Sequence, residues 1–497
     1  MGIIIKQSIK GSIWSYLGVI IGFVTTSYLY PNYLTTDIVG LFGLLVSYST
    51  LFGQFSLLGI QGITSRIFPV FRDKESNHHG FFFISLVFFL TGLALFLIFF
   101  FSFAPWLVEN NQEKSKLFAD HLYLLIPMTL FTMIFIQLDT FNRMLYDSVP
   151  GMFLQEFLQR VLIFAITVLF AVSWISLNQM IWAYAAIVCS KAVVMIVILA
   201  QKKELNFRID RNFVSPKLRK EIIDVGLFSI VTGLGSMIIF NIDKIVINQM
   251  LDLSNTGVYT IAFYFGTLVV IPSRALLKIS GALIADGWAA MDIEKIKEIY
   301  YKSCINQFII GTFLFVGIWA NIDNILTILG PDYAESKWVI FFIGIGYLFD
   351  MLTGANGQVI AYSKYYRIAL VFVISLVVVA VALLYLLIPI WGITGAAIAI
   401  ACSFLFNNLL RYIFLYRKYQ MQPFNVKFLL VLVVFLAVYF VANLIPQQTL
   451  VIDILVRSAV ITIVSFLALY FLPISEDIKK TIDQFVMKAG FFGKGKK

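Results

Sequence analysis

The chain has 497 residues, of which 60% are hydrophobic, 16% are aromatic and only 13% are charged. A soluble domain carries about 25% charged residues, so this composition excludes an ordinary soluble protein built from several polar-surfaced domains. Apolar segments of about 20 residues, the length that crosses a bilayer, follow one another along the whole chain. The sequence therefore predicts an all-α polytopic membrane protein.

The apolar pattern predicts about 14 transmembrane helices, separated by turns at residues such as Pro31, Pro105, Pro150 and Pro389. In chain order, predicted spans 1 to 14 cover residues 10–30, 38–65, 81–104, 120–142, 151–173, 179–200, 223–249, 256–284, 303–320, 334–362, 368–388, 391–415, 427–445 and 453–472. Spans 2, 8 and 10 are longer than a bilayer requires, so we expect them to tilt or to project beyond it.

Lysine and arginine residues indicate the orientation of these spans. Outside the spans they lie at the N-terminal end, in the loops after the even-numbered spans and in the C-terminal tail, whereas the opposite loops hold only Lys114 and Lys116. The positive-inside rule therefore predicts a multi-pass protein of the inner (cytoplasmic) membrane with both termini in the cytoplasm. The net charge of +10 is spread over loops that face anionic lipid, and it does not indicate nucleic-acid binding.

A short internal repeat suggests that the chain consists of two related halves. Leu34–Phe42 matches Leu251–Tyr259, with Gly40 and Gly257 separated by 217 positions. Spans 1 and 7 both begin inside, so the repeat is parallel, as in one class of transporters. The predicted domains are an N-terminal six-helix bundle over 1–200, a basic cytoplasmic linker over 201–222, a C-terminal six-helix bundle over 223–415, two additional transmembrane helices over 416–472 and a cytoplasmic basic tail over 473–497. An amphipathic interfacial helix is expected from Ser475 onward, followed by a disordered Gly-Lys stretch.

Ionisable groups inside apolar spans are costly, and they are the candidate functional residues. Arg274 and Lys278 in span 8 share one helix face about 6 Å apart, directly after Pro272, which can kink the helix. Two like charges on one face are tolerated where that face lines a water-filled cavity or binds an anion such as a pyrophosphate. Alternatively, Lys278 extends to the inner surface and Arg274 pairs with an acid of another helix.

Two acids raise the possibility of gating or ion coupling. Asp243 and Lys244 are neighbours in the outer half of span 7 and point about 100° apart, so we do not expect them to pair with each other. They indicate a substrate or gating role, unless Lys244 extends to the outer surface. Asp350, near the middle of span 10, has no nearby base in the sequence. It is a candidate for carrying a proton or binding sodium, or it pairs structurally with a base such as Lys191 of span 6.

Spans 4 and 5 have polar inner halves. Asp139 and Arg143, and likewise Glu156 and Arg160, are acid and base four residues apart, which is the favourable order for a local ion pair. The simpler interpretation is a set of structural pairs that line a cytoplasmic vestibule. Asp139 is also a candidate for ion coupling or gating.

Nothing in the sequence indicates catalysis, a metal site or a cofactor. The three cysteines lie in separate apolar segments without the spacing of metal ligands or disulfides. The three histidines lie in a loop or near a span end, and there is no Gly-rich loop of the kind that holds phosphates. We therefore predict a transporter rather than an enzyme, with no catalytic, metal-binding or cofactor-binding residues.

Five short motifs stand out along the chain. They are Ser8-Ile-Lys-Gly-Ser12, the join from Tyr33-Leu to Gly40-Leu-Phe42, Asn241-Ile-Asp-Lys244, Gly257-Val-Tyr259 and Ile271-Pro-Ser-Arg274. With these motifs the chain resembles the polysaccharide transporter family, the O-antigen and lipopolysaccharide flippases. That family belongs to the multidrug/oligosaccharidyl-lipid/polysaccharide exporter superfamily, which includes multidrug and toxin extrusion antiporters and lipid II flippases.

The resemblance implies two six-helix bundles that form a V around a cationic cavity and work by alternating access. The implied substrate is an undecaprenyl-diphosphate-linked oligosaccharide. Arg274, Lys278 and Lys244 are then the candidates for substrate binding, and Asp350, Asp243 and Asp139 those for ion coupling or gating.

Two other functions stay open at this point. One is an ion-coupled multidrug or cation antiporter of the same superfamily, although the excess of bases near span 8 disfavours a cationic substrate. The other is a membrane enzyme of glycan assembly, although the long outer loop of many polysaccharide polymerases is absent. Lipid II flippases concentrate cations in their first spans, and this chain has none in the central parts of spans 1 and 2. The expected partners are the bilayer, the lipid-linked substrate, H⁺ or Na⁺ and a polysaccharide polymerase, with no nucleic acid.

Overall fold

The computed structural model describes residues 2–208, 213–472 and 474–488. Over these residues the chain is helical with no β-strand, which confirms the all-α class. Contacts divide the chain into two compact units, Met1–Thr260 (unit 1) and Ile261–Lys497 (unit 2). The predicted linker, 201–222, lies inside unit 1, and the division into two six-helix bundles stays a prediction.

The longer helices are numbered in chain order. They are α1 (Gly2–Val24), α2 (Thr36–Ser56), α3 (Ile60–Phe71), α4 (Phe81–Asn111), α5 (Leu125–Met144), α6 (Gln159–Ala171), α7 (Leu177–Gln201), α8 (Pro216–Met250), α9 (Leu253–Thr267), α10 (Ser273–Ala289), α11 (Ile293–Ala320), α12 (Ser336–Thr353), α13 (Asn356–Tyr362), α14 (Ile368–Tyr419), α15 (Val426–Asn443), α16 (Leu450–Phe471) and α17 (Glu476–Lys488). Shorter helical segments are Thr25–Leu29, Tyr30–Tyr33, Asn77–Gly80, Lys116–Asp120, Leu122–Leu124, Val149–Met152, Phe153–Leu158, Leu268–Val270, Ile322–Leu329 and Pro331–Tyr333.

The described helices account for the predicted number of spans. Twelve helices are long and apolar enough to cross a bilayer, and α8, which bends by 43°, makes a thirteenth. Helix α14 has 52 residues and would be about 78 Å long if straight, more than twice the thickness of the bilayer core. Its backbone leaves helical geometry at Trp391 and Gly392, and a Cβ on Gly395 would lie 2.1 Å from the carbonyl oxygen of Leu387. The chain therefore reverses at Gly392, and α14 supplies two antiparallel spans, for a total of 14.

The three predicted spans that are longer than the bilayer are interrupted helices. Span 2 divides between α2 and α3, where Leu58 and Gly59 have φ of 48° and 74°. Span 8 divides between α9 and α10 at the 3-10 turn Leu268–Val270, which Pro272 follows. Span 10 divides between α12 and α13 at Gly354, with φ of 53°. These breaks account for the length of the three spans, and the expected tilt or projection beyond the bilayer stays a prediction. Breaks of this kind are tolerated where the backbone is buried in protein or lines a cavity.

An aromatic cluster forms the core at the predicted cytoplasmic end of unit 1. Phe68, Phe81 and Phe141 are fully buried, and the ring centroid of Phe68 lies 5.1 Å from that of Phe81 and 4.9 Å from that of Phe141. The loop between α3 and α4 packs beside this cluster, where His78 contacts Glu204 of the predicted linker with a 2.8 Å distance between Nε2 and Oε2. The linker is therefore packed onto unit 1 where the structure describes it, whereas its basic residue Arg211 lies outside the described residues.

The same loop is held by a local turn. The Ser76 hydroxyl donates to the Asp73 carboxylate at 2.6 Å, and this bond is the main reason that the pKa of Asp73 lies below its usual value. His79 and Phe213 stack face to face, with ring centroids 3.7 Å apart. These contacts order the loop between α3 and α4.

The core of unit 2 lies between α11, α14 and α15, where Phe308 and Phe428 stack with centroids 5.9 Å apart. The tail helix expected from Ser475 onward is α17, and Asp477 fixes it to α11 by accepting a hydrogen bond from Asn306 at 3.0 Å. Ile482 is buried and Lys479 is exposed, as an amphipathic helix requires. The predicted Gly-Lys stretch after this helix lies outside the described residues.

Candidate functional site

The break in span 8 places two of the predicted cations at the start of a helix. Helix α10 begins at Ser273, directly after Pro272, as the proline predicts. Arg274 lies in the first turn and Lys278 one turn later, and both side chains are exposed. The amide groups of a first helical turn carry positive partial charge, which adds to that of the two side chains. The start of α10 therefore has the chemistry of an anion site formed by a discontinuous membrane helix.

This cationic start lies beside the apolar part of a membrane span. Leu276 borders the same cavity as Ile309 and Phe313 of α11. A three-residue turn joins α10 to α11, so the two helices run antiparallel and Arg274 lies level with the middle of α11. Over the described residues, the side chains of Arg274 and Lys278 form neither an ion pair nor a hydrogen bond. The structure therefore does not support the alternative in which Arg274 pairs with an acid of another helix.

Asp350 belongs to a polar network, although no base lies near it in the sequence. Asn408 Nδ2 donates to Asp350 Oδ1 at 3.1 Å. The same amide accepts hydrogen bonds at 2.9 Å from Thr353 Oγ1 and from Asn356 Nδ2. The network joins α12 and α13 to the second half of α14. The carboxylate is half-buried and is held by a neutral donor, so it is not a lone acid in an apolar span.

Arg411, one turn along α14 from the amide of the network, lies close enough for its positive charge to interact with Asp350. With the Asn407 amide oriented so that its oxygen faces Arg411, the guanidinium donates to that oxygen at 3.1 Å and the amide nitrogen donates to the Phe372 carbonyl at 3.0 Å. A Cβ on Gly357 would lie 3.3 Å from Arg411 Nη1, so this glycine leaves room for the guanidinium. Sequence reasoning missed these residues of α14, although polar side chains inside an apolar span were the available signal.

Lys191, which we considered as a base for Asp350, has contacts of its own in unit 1. Its Nζ donates to Gln159 Oε1 at 3.1 Å and lies 5.0 Å from the centre of the Phe135 ring. A cation over an aromatic ring is stabilised by the ring quadrupole, most strongly away from water. These contacts give Lys191 a structural role in joining α5, α6 and α7.

Asp243 fixes the corner between α8 and α9. Its side chain is completely buried, and Oδ2 accepts a hydrogen bond from the Tyr259 hydroxyl at 2.7 Å, while Oδ1 accepts one from the Lys244 amide at 2.8 Å. Lys244 is only 8% exposed, and its Nζ donates to the carbonyl of Phe240 at 3.2 Å. The alternative in which Lys244 extends to the surface is therefore wrong, because its ammonium group turns back onto its own helix.

The two copies of the internal repeat pack directly against each other. A Cβ on Gly40 would lie 2.1 Å from the carbonyl oxygen of Leu253, and a Cβ on Gly257 would lie 1.9 Å from that of Thr36. Thr36 and Leu253 are themselves 217 positions apart, so the two contacts are equivalent under the repeat. The hydroxyl oxygens of Thr36 and Ser254 are 2.6 Å apart at the same place. We call this crossing of α2 and α9 the repeat seam.

Both local ion pairs predicted in spans 4 and 5 are confirmed. Arg143 Nε lies 3.2 Å from Asp139 Oδ2, and Arg160 Nη2 lies 2.7 Å from Glu156 Oε2. Asp139 also presses against Gly151, where an added Cβ would lie 1.7 Å from its Oδ1. Asp139 is thus a paired, tightly packed acid, and its role in coupling or gating stays a prediction.

The candidate residues are divided between the two units. Asp139, Asp243 and Lys244 belong to unit 1, and Arg274, Lys278 and Asp350 belong to unit 2. In the part of the chain that the structure describes, no three His, Cys, Asp or Glu side chains come together as metal ligands. The structure thus brings Arg274 and Lys278 together on one helix and Asp243 and Lys244 together at one corner.

Comparison with known proteins connects this chain to polysaccharide biosynthesis. The family model described as "Polysaccharide biosynthesis protein" matches residues 7–284, more than half of the chain. No curated protein sequence matches the chain.

Three solved structures show the fold. The chain is similar to "Lipid II flippase MurJ, inward closed conformation", with a TM-score of 0.72 and 14% identity over 92% of this chain and 98% of that one. It is also similar to the inward-facing conformation of a multidrug resistance MATE family transporter of the MOP superfamily, with a TM-score of 0.60 and 16% identity over 82% and 94%. The outward-facing conformation of such a transporter matches with a TM-score of 0.51 and 16% identity over 84% and 96%. At these identities the similarity establishes the fold of this superfamily.

Proposed function

Because this chain belongs to the family of polysaccharide biosynthesis proteins and has the fold of MOP-superfamily transporters, we propose that it is a flippase for a lipid-linked oligosaccharide. The proposed substrate is an undecaprenyl-diphosphate-linked unit of O-antigen or of another surface polysaccharide. It crosses the cytoplasmic membrane from the inner to the outer leaflet by alternating access. The cationic start of α10, with Arg274 and Lys278 on one exposed face, is the observation on which this proposal rests.

A diphosphate fits this helix start chemically. The guanidinium of Arg274 matches two phosphate oxygens at once, and Lys278 adds a second positive charge one turn away. The amides of the first turn add partial positive charge along the helix axis. Neither cation has an acid partner among the described residues, so no ion pair has to break before an anion binds. The same charges repel a cationic drug, which favours the flippase over a multidrug antiporter.

The repeat seam fits a mechanism of alternating access. By the predicted orientation, the seam joins the outer ends of spans 2 and 8. Its glycines allow backbone contact, so the seam closes this corner tightly with little side-chain bulk. In the proposed cycle it is closed while substrate enters from the inner leaflet, and it separates to release the substrate outside.

The anion site is tested with Arg274→Ala and Lys278→Ala, and with Lys297→Ala as the matched control. Lys297 is a partly exposed lysine of the same unit that already pairs with Glu294 at 2.8 Å. Each protein is reconstituted in liposomes with undecaprenyl-diphosphate-linked N-acetylglucosamine that carries a fluorophore quenched by external dithionite. Arg274→Ala should slow transfer by about tenfold or more, the effect of one lost charge-assisted hydrogen bond of about 1.5–3 kcal/mol. Lys297→Ala should transfer as the wild type does.

The outcomes separate the possible functions. Wild-type rates in both Arg274→Ala and Lys278→Ala would disprove the anion site. Export of a cationic dye by the wild-type protein, without lipid transfer, would support the multidrug antiporter instead. Turnover of the lipid-linked sugar without exchange between leaflets would support a membrane enzyme of glycan assembly.

A further inference from the structure

An open depression of about 430 Å³ in unit 1 is bordered by two aromatic rings and two serines. Its rim consists of Tyr33, at the end of span 1, with Ser173, Trp174 and Ser176 from the connection between α6 and α7. Phe170 lies among the apolar residues that line it. The volume lies within the range of small-molecule sites, about 300–1,000 Å³, and such sites combine apolar surface with a few placed polar groups.

The connection that forms this rim is held rigidly at both ends. Helix α6 ends in a Schellman motif. In this motif the Trp174 amide donates to the Leu169 carbonyl at 3.0 Å. Ser173 occupies that left-handed position with φ of 59°, where glycine is usual. Helix α7 begins with a capping box, in which the Ser176 hydroxyl accepts from the Gln179 amide and the Gln179 side chain accepts from the Ser176 amide. The position of the rim is therefore set by hydrogen bonds.

Both rings on this rigid rim present surface to the outside. Trp174 is 79% exposed and Tyr33 is 45% exposed. Over the described residues, neither ring contacts another aromatic ring or forms a side-chain hydrogen bond. The structure thus holds two partly exposed aromatic surfaces and neighbouring hydroxyls in fixed positions.

We propose that this depression is a sugar-binding site for the glycan part of the transported lipid. The proposal rests on the proposed flippase function. It also rests on the predicted orientation, which places the connection between spans 1 and 2 and the connection between spans 5 and 6 on the outer face of the membrane. A sugar ring has an apolar C–H face that stacks on an aromatic ring and hydroxyl edges that form hydrogen bonds, and the rim offers both. Tyr33 lies three residues before Thr36 of the repeat seam, so the site borders the opening through which the proposed cycle releases the substrate.

An aromatic belt is the other role that exposed tryptophan and tyrosine have at a membrane boundary. The concave shape and the two serines favour a ligand site, because a belt needs only an apolar face toward lipid. Trp182 provides a matched control, since it is 58% exposed on α7 but does not border the depression. Loss of a belt residue would not alter the binding of a free sugar, whereas loss of a stacking platform would.

The test measures free sugars binding to the full-length protein in lipid nanodiscs, by saturation-transfer NMR. The probes are glucose, galactose, N-acetylglucosamine and rhamnose. At least one should bind saturably, and Trp174→Ala should raise its dissociation constant about tenfold, equivalent to about 1.4 kcal/mol. Trp174→Phe should retain most of the affinity because it keeps an aromatic face, and Trp182→Ala should bind as the wild type does. Trp174 and Trp182 are both exposed, so none of these changes should disturb folding.

The result separates this site from the flippase proposal. Arg274→Ala should bind the sugar normally, since the two sites lie in different units. If Arg274→Ala and Lys278→Ala both transport lipid normally while Trp174→Ala loses sugar affinity, the sugar site stands and the anion site is wrong. If none of the four sugars binds, or if Trp174→Ala binds as tightly as the wild type, the sugar site is wrong.

Discussion

Gly40 and Gly257 approach so closely that a Cβ on Gly257 would lie 3.0 Å from the amide nitrogen of Gly40. Each glycine belongs to one copy of the internal repeat, and each accommodates the backbone of the other copy. Two membrane helices cross at such a short distance only where both have small residues at the crossing, because larger side chains would keep the backbones apart. The crossing therefore depends on both positions remaining glycine.

We predict that Gly257→Val prevents the repeat seam from closing. Its side chain would occupy the position of the Thr36 carbonyl, 1.9 Å from an added Cβ, and backbone on both sides leaves nothing flexible to move. Transfer of the labelled lipid should fall at least about tenfold, while the amount of protein in the membrane stays near that of the wild type. Gly317→Val is the control, because an added Cβ at Gly317 meets nothing within 4 Å. Normal transfer by Gly257→Val would show that the seam does not need to close.

A disulfide across the seam should stop transport reversibly. Thr36 and Ser254 have hydroxyl oxygens 2.6 Å apart, so cysteines at these positions lie within reach of a disulfide. With Cys189, Cys304 and Cys402 replaced by serine, Thr36→Cys/Ser254→Cys should cross-link under mild oxidation. Transfer should then stop, because the outer end cannot open, and a reductant should restore it.

The two single-cysteine variants control for effects of oxidation alone. A cross-linked protein that still transfers lipid at the wild-type rate would contradict a cycle in which the seam separates. Absence of cross-linking in membranes would show instead that the seam is open at rest.

Asp350 and Arg411 should depend on each other for stability. Arg411→Gln removes the base that acts on Asp350, and Asp350→Asn leaves Arg411 without that acid. Each single variant leaves one half-buried polar group without a partner, which costs about 1–3 kcal/mol. The double variant Asp350→Asn/Arg411→Gln should regain part of the lost thermal stability, which unfolding in detergent would measure.

The same variants test ion coupling. If Asp350 carries the coupled ion, the double variant should fold but lose any dependence of transfer on a proton or sodium gradient. If Asp350 is only structural, the double variant should retain the gradient dependence of the wild type. An additive loss of stability in the double variant would show that the two residues do not interact.

Local patterns in the sequence were sufficient to predict the local features of the fold. The spacing of Asp139 and Arg143 predicts their ion pair, because both partners lie on one helix. Pro272 predicts the break before Arg274 because proline restricts the backbone of its own segment. The apolar periodicity predicts the spans themselves, including the reversal near Pro389.

Contacts between distant segments could not be predicted in the same way. Asp350 and Arg411 are neighbours only because α12 packs on the second half of α14, and no spacing rule relates positions on different helices. The repeat aligned Gly40 with Gly257, but equal positions in two copies do not imply contact. The rim of Trp174 and Tyr33 depends on a left-handed serine, Ser173, at a position where the sequence has no glycine to mark the turn.

Asp453 and Arg457 show why an ion pair inside a span need not have a transport role. Their side chains are only 4% and 8% exposed, and Arg457 Nε donates to Asp453 Oδ2 at 2.6 Å. The other guanidinium nitrogens donate at 3.0 Å to the carbonyls of Ala442 and Ile445, and Asn324 donates to Asp453 at 2.6 Å. The Arg457 bonds join α16 to the C-terminal end of α15, and the Asn324 bond joins the segment Ile322–Leu329 to α16, so three of the five guanidinium N–H groups are used within the protein.

We therefore predict a structural effect without a transport effect at this pair. Arg457→Met should lower the free energy of unfolding by about 3–5 kcal/mol, because it leaves the Asp453 carboxylate buried without its base. Asp453→Leu/Arg457→Met should recover part of that stability, since it removes both buried charges together. Thermal unfolding in detergent measures the stability of each variant. Lipid transfer per amount of folded protein measures its transport activity. A double variant that folds normally but does not transfer lipid would show that this pair takes part in transport.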